Sequence, residues 1–428
     1  MARLAREDLV RSPAHALVLW VLWPTMTAVA IAAMQVHGSA SGPGQASPSS
    51  SPSPSPSPPL RSHADLEAWR AQHADPLDRM SPTGRERFLR ALVLTADGPA
   101  GFPLADLQAE LTSAEVTAVA RLFGLGGDWE GLTAAEARRL ARVERPLQAT
   151  ALERRVEALE ARLDALPEDR SARRTAALSR FEQAFAGADW QRQLAMADDH
   201  HLLLLWRAAS NAAFHARDAR LDALAAQALE ALRARGLDTR MHVREMQALH
   251  LAAGNPDAAG ALARAMPERD PLRLPPVERL AQGRALHTAW QVQLHPPRLV
   301  ERDASGSGLR LLVVMAPGCG YSRAAAMEIA RDPRLRPVAE RHALWLAPPR
   351  TLADWAAVGR WNTAHPRTPL RVATREEAWP ELSFTSTPLF VLADGERVLA
   401  RIRGWTPQQR VQLEQALRRH GLLQDPAG

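Results

Sequence analysis

Residues Gly308–Ser322 read GLRLLVVMAPGCGYS and hold the only cysteine of the 428-residue chain, Cys319. Leu309, Leu311, Leu312, Val313, Val314 and Met315 form an apolar run that reads as a buried strand. Ala316-Pro317-Gly318 breaks the run, and an alanine-rich helix is expected over Tyr321–Arg331. Cys319 then stands at the mouth of that helix. Unpaired N–H donors and the helix dipole favour a thiolate over a thiol at such a place. The rest of the chain reads as delivery and presentation of this site.

The length allows two or three domains, and an apolar content of 46% is enough for real cores. Lysine is absent, so all 53 basic residues are arginine, against 47 carboxylates, for a net charge of +6. The two signs are interspersed, which reads as solvated helix faces. There are no zinc-ligand cysteine pairs, no dense basic run and no basic strand interleaved with aromatics, so nucleic acid is not an expected partner. One cysteine cannot make an intrachain disulfide. No cofactor and no metal are expected. Asp198, Asp199, His200 and His201 are consecutive, and consecutive residues on a helix point in different directions, away from any one ion.

Residues 1–13 carry Arg3, Arg6 and Arg11, and the segment 14–36 that follows contains the apolar run Ala14–Met34. About 20 apolar residues span a bilayer, and a cleaved signal has an apolar core of about 7–15, so the length points to an anchor. Pro24 and the small residues Gly38-Ser39-Ala40 point to a cleaved export signal instead. In either case the leading arginines keep the N-terminus inside and the body outside the cytoplasm. Residues 37–60, rich in Ser-Pro, read as a disordered, extended stalk.

Residues 61–294 read as helical. Ser81-Pro82 starts a helix, and Thr112-Ser-Ala-Glu115 and Thr133-Ala-Ala-Glu136 are capping boxes. Leu152, Val156, Leu159, Leu163 and Leu166 recur at 4-3-4-3 spacing, a short helical seam within the chain. Phe214-His215-Ala216 with Asp222-Ala223 is echoed 35 residues on by Leu249-His250-Leu251 with Asp257-Ala258. That spacing weakly resembles a tetratricopeptide-type repeat over about 190–266, whose stacked helix pairs would offer a concave face to a peptide. A plain helical bundle is the competing expectation. Pro271–Pro297, proline-rich at both ends with a helix between, reads as a joint.

Beyond it, strands are expected at Leu309–Met315, His342–Leu346, Leu370–Ala373, Leu389–Leu392 and Val398–Arg403. Helices are expected at Tyr321–Arg331, Thr351–Thr363 and from Thr406-Pro407 to about His420. The fold class is therefore a helical, repeat-like middle followed by an α/β domain over 298–423. This last part resembles the thioredoxin-fold family. The strand-Cys319-Gly320-Tyr321-Ser322-helix unit, Thr387-Pro388 ahead of a strand, and Gly404-Trp405 at the end of a hairpin carry the resemblance. Cys319-Gly320-Tyr321 is similar to the Cys-Gly-Tyr-Cys active site of periplasmic disulfide isomerases, with Ser322 where the second cysteine would stand.

The resemblance implies that Pro388 is cis and lies against Cys319, and that the backbone of Thr387 pairs with a client. It implies Cys319 as the nucleophile and an exposed Tyr321 beside it; Ser322, one helical turn on, and the helix terminus are expected to stabilise the thiolate. Arg323 is nearby in sequence. Trp405 reads as packing. With one sulfur, Cys319 can form a mixed disulfide but cannot release it within the chain, so an external thiol is required. The expected function is thiol–disulfide exchange on protein or peptide clients in a bacterial cell envelope, at the inner membrane facing the periplasm or free in the periplasm. The alternative is a non-catalytic envelope adaptor in which the cysteine is vestigial.

Overall fold

The computed structural model describes residues 26–27, 59–95, 98–146, 148–268, 270–280 and 287–424. The expectations for 1–13, 14–36 and 37–60 fall outside these residues, save that Met26–Thr27 pairs with Asp128–Trp129 and that 59–60 are described. Among the described residues no helix is long and apolar enough to cross a membrane.

A first apolar core gathers Leu60, Leu66, Phe88, Phe102, Leu107, Val116 and Phe123. Helices Pro82–Ala91 and Ser113–Leu122 contribute to it, and the second begins at the capping box of Thr112 and Glu115. A small hairpin, Val93–Thr95 with Gly98–Gly101, sits in this otherwise helical stretch. The box of Thr133 and Glu136 likewise opens helix Ala134–Leu140.

The second core is built by α1 (Ala151–Asp164), α2 (Arg170–Ala184), α3 (Asp199–Ala216) and α4 (Ala219–Ala234). Val156, Leu159, Leu163 and Leu166 are buried and Leu152 partly buried, so the 4-3-4-3 seam is satisfied within the chain, with α1 packed on α2 and α3. Helices α5 (Arg240–Ala252) and α6 (Pro256–Ala261) follow. The sequence echo falls at the ends of α3 and α5, but the second helices of the two pairs differ, sixteen residues against six. Helix α5 packs on the 3-10 turn Pro349–Asp354, and Ala248, Leu251 and Ala259 join the core of the sheet below.

The sheet has eight strands: β1 (Val277–Glu278), β2 (Thr288–Leu294), β3 (Pro297–Asp303), β4 (Leu309–Val314), β5 (Ala343–Ala347), β6 (Leu370–Ala373), β7 (Leu389–Asp394) and β8 (Arg397–Arg403). Their order is β8-β7-β4-β5-β6-β2-β3-β1. β4, β5 and β6 are parallel, β7 runs antiparallel beside β4, and β8 runs antiparallel beside β7. This is an α/β unit with a mixed sheet. It begins upstream of Arg298. The helix expected between the prolines is strand β2, where Trp290 and Val292 are buried and Gln291 is exposed in a period of two. Pro296 follows a cis bond in the turn to β3.

One face of the sheet, with Leu311, Val313, Phe390 and Ile402, is covered by α7 (Gly320–Arg331), α8 (Leu335–His342), α9 (Trp355–Ala364) and α10 (Pro407–Arg419). α8 lies where no helix was expected. The other face, with Leu312, Val314, Leu346, Leu389 and Val391, is covered by Trp379, Leu382 and Phe384. These three come from an irregular segment, 376–386, that leads directly to Thr387.

Candidate functional site

Strand β4 is central and its last residues are fully buried, so its C-terminal end is a fixed point. The Met315 N–H donates to Leu346 O at 2.9 Å, and the Cys319 N–H closes the following turn on Ala316 O at 3.0 Å. Cys319 is the N-cap of α7: its carbonyl accepts the Arg323 N–H at 3.0 Å, and its side chain makes no capping bond. Cys319 is partly exposed as a residue, and its sulfur donates to Thr387 O at 3.3 Å.

The Thr387–Pro388 bond is cis, and Pro388 O accepts the Gly404 N–H at 2.8 Å. Gly404 donates from φ +78°, a conformation natural only to glycine. Beyond it Trp405 is buried against Phe390, with its indole N–H on Glu328 Oε2 at 3.0 Å, so it packs as expected. The structure thus brings Cys319, Thr387 and Pro388 to one end of the sheet.

Tyr321, the only tyrosine of the chain, stands 46% exposed two residues beyond the sulfur. Ser322 turns the other way. It is 1% exposed, and its hydroxyl accepts the Ala316 N–H at 3.5 Å; no hydrogen bond joins it to the Cys319 sulfur among the described residues. Its hydroxyl thus faces the backbone of the turn that precedes α7.

The sequence reading missed what holds the segment that leads to Thr387. Segment 376–386 contains one short 3-10 turn, Glu376–Ala378, and otherwise lacks regular structure. Arg170, at the start of α2, donates to Glu376 O (3.3 Å), Trp379 O (2.9 Å) and Leu382 O. Arg350 donates to Phe384 O at 3.2 Å, and Arg401 to Glu381 O at 2.8 Å. Trp379 is fully buried, with its indole N–H on Thr288 O at 3.1 Å and its ring against His287.

The Glu376 carboxylate accepts from Arg174 and Arg217, each at 3.1 Å. Burial alone would raise its pKa; Arg217, Arg350, Arg174 and Arg170 outweigh burial and hold it below the ordinary value. Arg350 is pushed down to about 10 by burial, then by Arg217, and is drawn back toward its usual value by Glu376. Both Arg217 and Arg350 lie 5.0 Å from the centre of the Phe214 ring. The partners are separated by up to 212 residues, so no local spacing announces them.

Among the described residues, no group of three or more histidines, cysteines or carboxylates could hold a metal ion. Asp198 caps α3 and pairs with His201 at 2.8 Å, while His200 faces Glu153 at 3.5 Å and Asp199 meets Arg235 at 3.2 Å, so the four do not converge on one point.

No protein-family model matches the chain, and no curated protein matches it. Among solved structures, a thioredoxin-like protein from Bacteroides caccae is similar at 12% identity, over 64% of this chain and 96% of that one, with a TM-score of 0.22. A likeness at that level identifies no family, and the α/β description stands on the strand order alone.

Proposed function

We propose that this chain is a monothiol thiol–disulfide exchange protein with a thioredoxin-like C-terminal domain and Cys319 as its nucleophile. The position of Cys319 carries the reading: a partly exposed residue at the N-terminus of a twelve-residue helix, its sulfur 3.3 Å from the carbonyl that precedes Pro388. The parallel β4-α7…β5 unit, the antiparallel β7–β8 hairpin and the closing α10 support the thioredoxin-like assignment. The Cys319 thiolate attacks a client disulfide. A Cys319–client disulfide forms, the other client sulfur leaves as thiolate, and nothing is oxidised or reduced on balance. A second thiol from outside the chain then displaces the client, because Ser322 cannot. The exposed Tyr321 ring offers the client an apolar surface beside the sulfur. The arginines ahead of the apolar segment 14–36 support an envelope setting, with the body held at the inner membrane or released into the periplasm.

The test is the rate at which Cys319 exchanges with a disulfide-containing peptide at neutral pH, folded against unfolded in urea. The reading expects one mixed disulfide per chain, none in Cys319→Ala, and faster exchange in the folded protein. A folded protein that reacts more slowly than its unfolded chain would remove Cys319 as a nucleophile. The buried Ser322 favours a second reading, an envelope adaptor whose sulfur is a remnant of a dithiol site. It expects the protein contacts of Cys319→Ala to match those of the unaltered chain.

A further inference from the structure

We propose that Arg170, in the helical part of the chain, is a positioning residue for the Cys319 site, setting the place of the Thr387 carbonyl through segment 376–386. This inference rests on the function proposed above. A helix covering the sheet would pair most of its own carbonyls. The irregular segment 376–386 pairs only some of its own, with the Trp379 N–H on Glu376 O and the Leu382 N–H on Trp379 O, both at 3.1 Å, and buried backbone oxygens need donors. Arg170 supplies three of them, to Glu376, Trp379 and Leu382, while Arg350 reaches Phe384 and Arg401 reaches Glu381. Phe384 lies only three residues before Thr387. The segment is therefore fixed along its length, from the turn at Glu376 to the residue that meets the sulfur. Arg170 is itself fixed, as the first residue of α2, whose N-cap Asp169 accepts the Ala172 N–H at 2.8 Å.

A guanidinium is a planar fork with several donors in fixed directions, and an ammonium is not. Arg170→Lys keeps the charge and cannot keep the three carbonyls. The segment then loosens, and Thr387 O no longer has one place relative to Sγ. A small disulfide needs only the sulfur, whereas an extended peptide must also pair with the backbone at Thr387. The two substrates separate positioning from reactivity.

The experiment uses the full chain and two probes that release the same coloured thiolate. One is the symmetric nitrothiobenzoate disulfide. The other is an extended peptide whose cysteine is capped by nitrothiobenzoate. In each, Cys319 forms the new S–S bond and nitrothiobenzoate leaves with the electron pair. Arg170→Lys is expected to slow the peptide reaction between about tenfold and a hundredfold, with the small-disulfide rate unchanged. Arg401→Met, on the exposed edge strand, removes one carbonyl donor with little risk to folding; the ratio of the two rates should shift in the same direction by less. If neither variant shifts the ratio, the inference is overturned while the proposed function stands. If the unaltered chain fails to react with either probe, the proposed function falls, and this inference with it. An Arg170→Lys chain that does not fold leaves Arg401→Met to decide.

Discussion

Replacing Glu376 by glutamine removes one negative charge from among four guanidiniums while keeping the volume. The carboxylate side chain is 10% exposed, and its two closest partners, Arg174 and Arg217, are 3.1 Å away. At about 4 Å between charge centres and an effective dielectric near 20, each such pair is worth roughly 4 kcal/mol. Desolvating the charges offsets much of that. Breaking a buried pair from one side costs about 3–5 kcal/mol in practice, because the partner charge stays buried and uncompensated. Arg350 is buried beside Arg217 and would be such a partner. The glutamine retains one acceptor, so the expected loss lies near the lower figure, about 3 kcal/mol.

The pH dependence provides a second check. The Glu376 carboxyl is held below its ordinary value of 4.5 in the folded chain. A group whose folded pKa is depressed adds stability that is present above the unfolded value and lost as pH falls through the folded one. The gap between the unaltered chain and Glu376→Gln should therefore be full at pH 7 and should close as pH falls below 4.5. Urea denaturation at a series of pH values measures it, with hydrogen exchange of segment 376–386 as the local readout. A variant as stable as the unaltered chain at pH 7, or a gap that does not narrow in acid, would refute the reasoning.

Ser322→Cys puts a second sulfur within the first turn of α7; on oxidation both thiols should disappear within the monomer and mixed disulfides should cease to accumulate, as read by thiol titration and non-reducing gels. Burial, then Arg173, Arg217 and Arg350, push His215 down to about 3. Its neutral form therefore adds stability that is full above the unfolded value of 6.5 and is lost toward acid, at roughly 1.4 kcal/mol per pH unit. His215→Gln should flatten the stability–pH curve by about that slope between pH 6 and pH 4. In Gly131→Ala the new Cβ would lie 2.6 Å from Leu111 O and 2.8 Å from the Thr112 carbonyl carbon, both backbone atoms. Overpacking of this kind costs about 1–3 kcal/mol, visible as a lower urea midpoint.

Features with local chemistry were legible in the sequence. The boxes at Thr112 and Thr133 start helices because the side chain and the N–H that it serves are three residues apart. The apolar run ending at Met315 is buried on both faces of the sheet, which is why it shows no alternation. Strands β6, β7 and β8 were each located to within a few residues. β2 was missed although Trp290-Gln291-Val292-Gln293 alternates, because the prolines on either side suggested a joint. The proline in β3 is the first residue of its strand, where no ladder donor is lost. α8 was hidden by Pro333 and Pro337, the latter lying in its first turn, where a missing N–H is harmless. Ser322 was expected to serve the sulfur because it follows by one turn. Its burial could be known only once α7 had been packed on the sheet.

The arginines around segment 376–386 explain why the two halves of the chain do not read as separable. A sheet face bearing Leu312, Val314, Leu346 and Val391 must be covered, and a helix would do so while pairing most of its own backbone. Here Trp379, Leu382 and Phe384 supply the apolar cover, and the backbone pairs itself only at two turns, Trp379 N–H on Glu376 O and Leu382 N–H on Trp379 O. Two of the further donors to its carbonyls come from the sheet unit, Arg350 and Arg401. The one that reaches three carbonyls, Arg170, comes from the helical part, as do Arg174 and Arg217, which meet Glu376. Burying so many guanidiniums demands an internal anion, and Glu376 provides it, in the same turn whose carbonyl accepts from Arg170. Arginine suits this task better than lysine because one rigid head serves several oxygens. The helical part thus helps hold the segment that leads to Thr387, and its own packing face on α5 is taken up by the turn at Pro349–Asp354. A partner that bound the helical part would have to use a different face, and a shift that it imposed on α2 would move the guanidinium that holds the carbonyls of Glu376, Trp379 and Leu382.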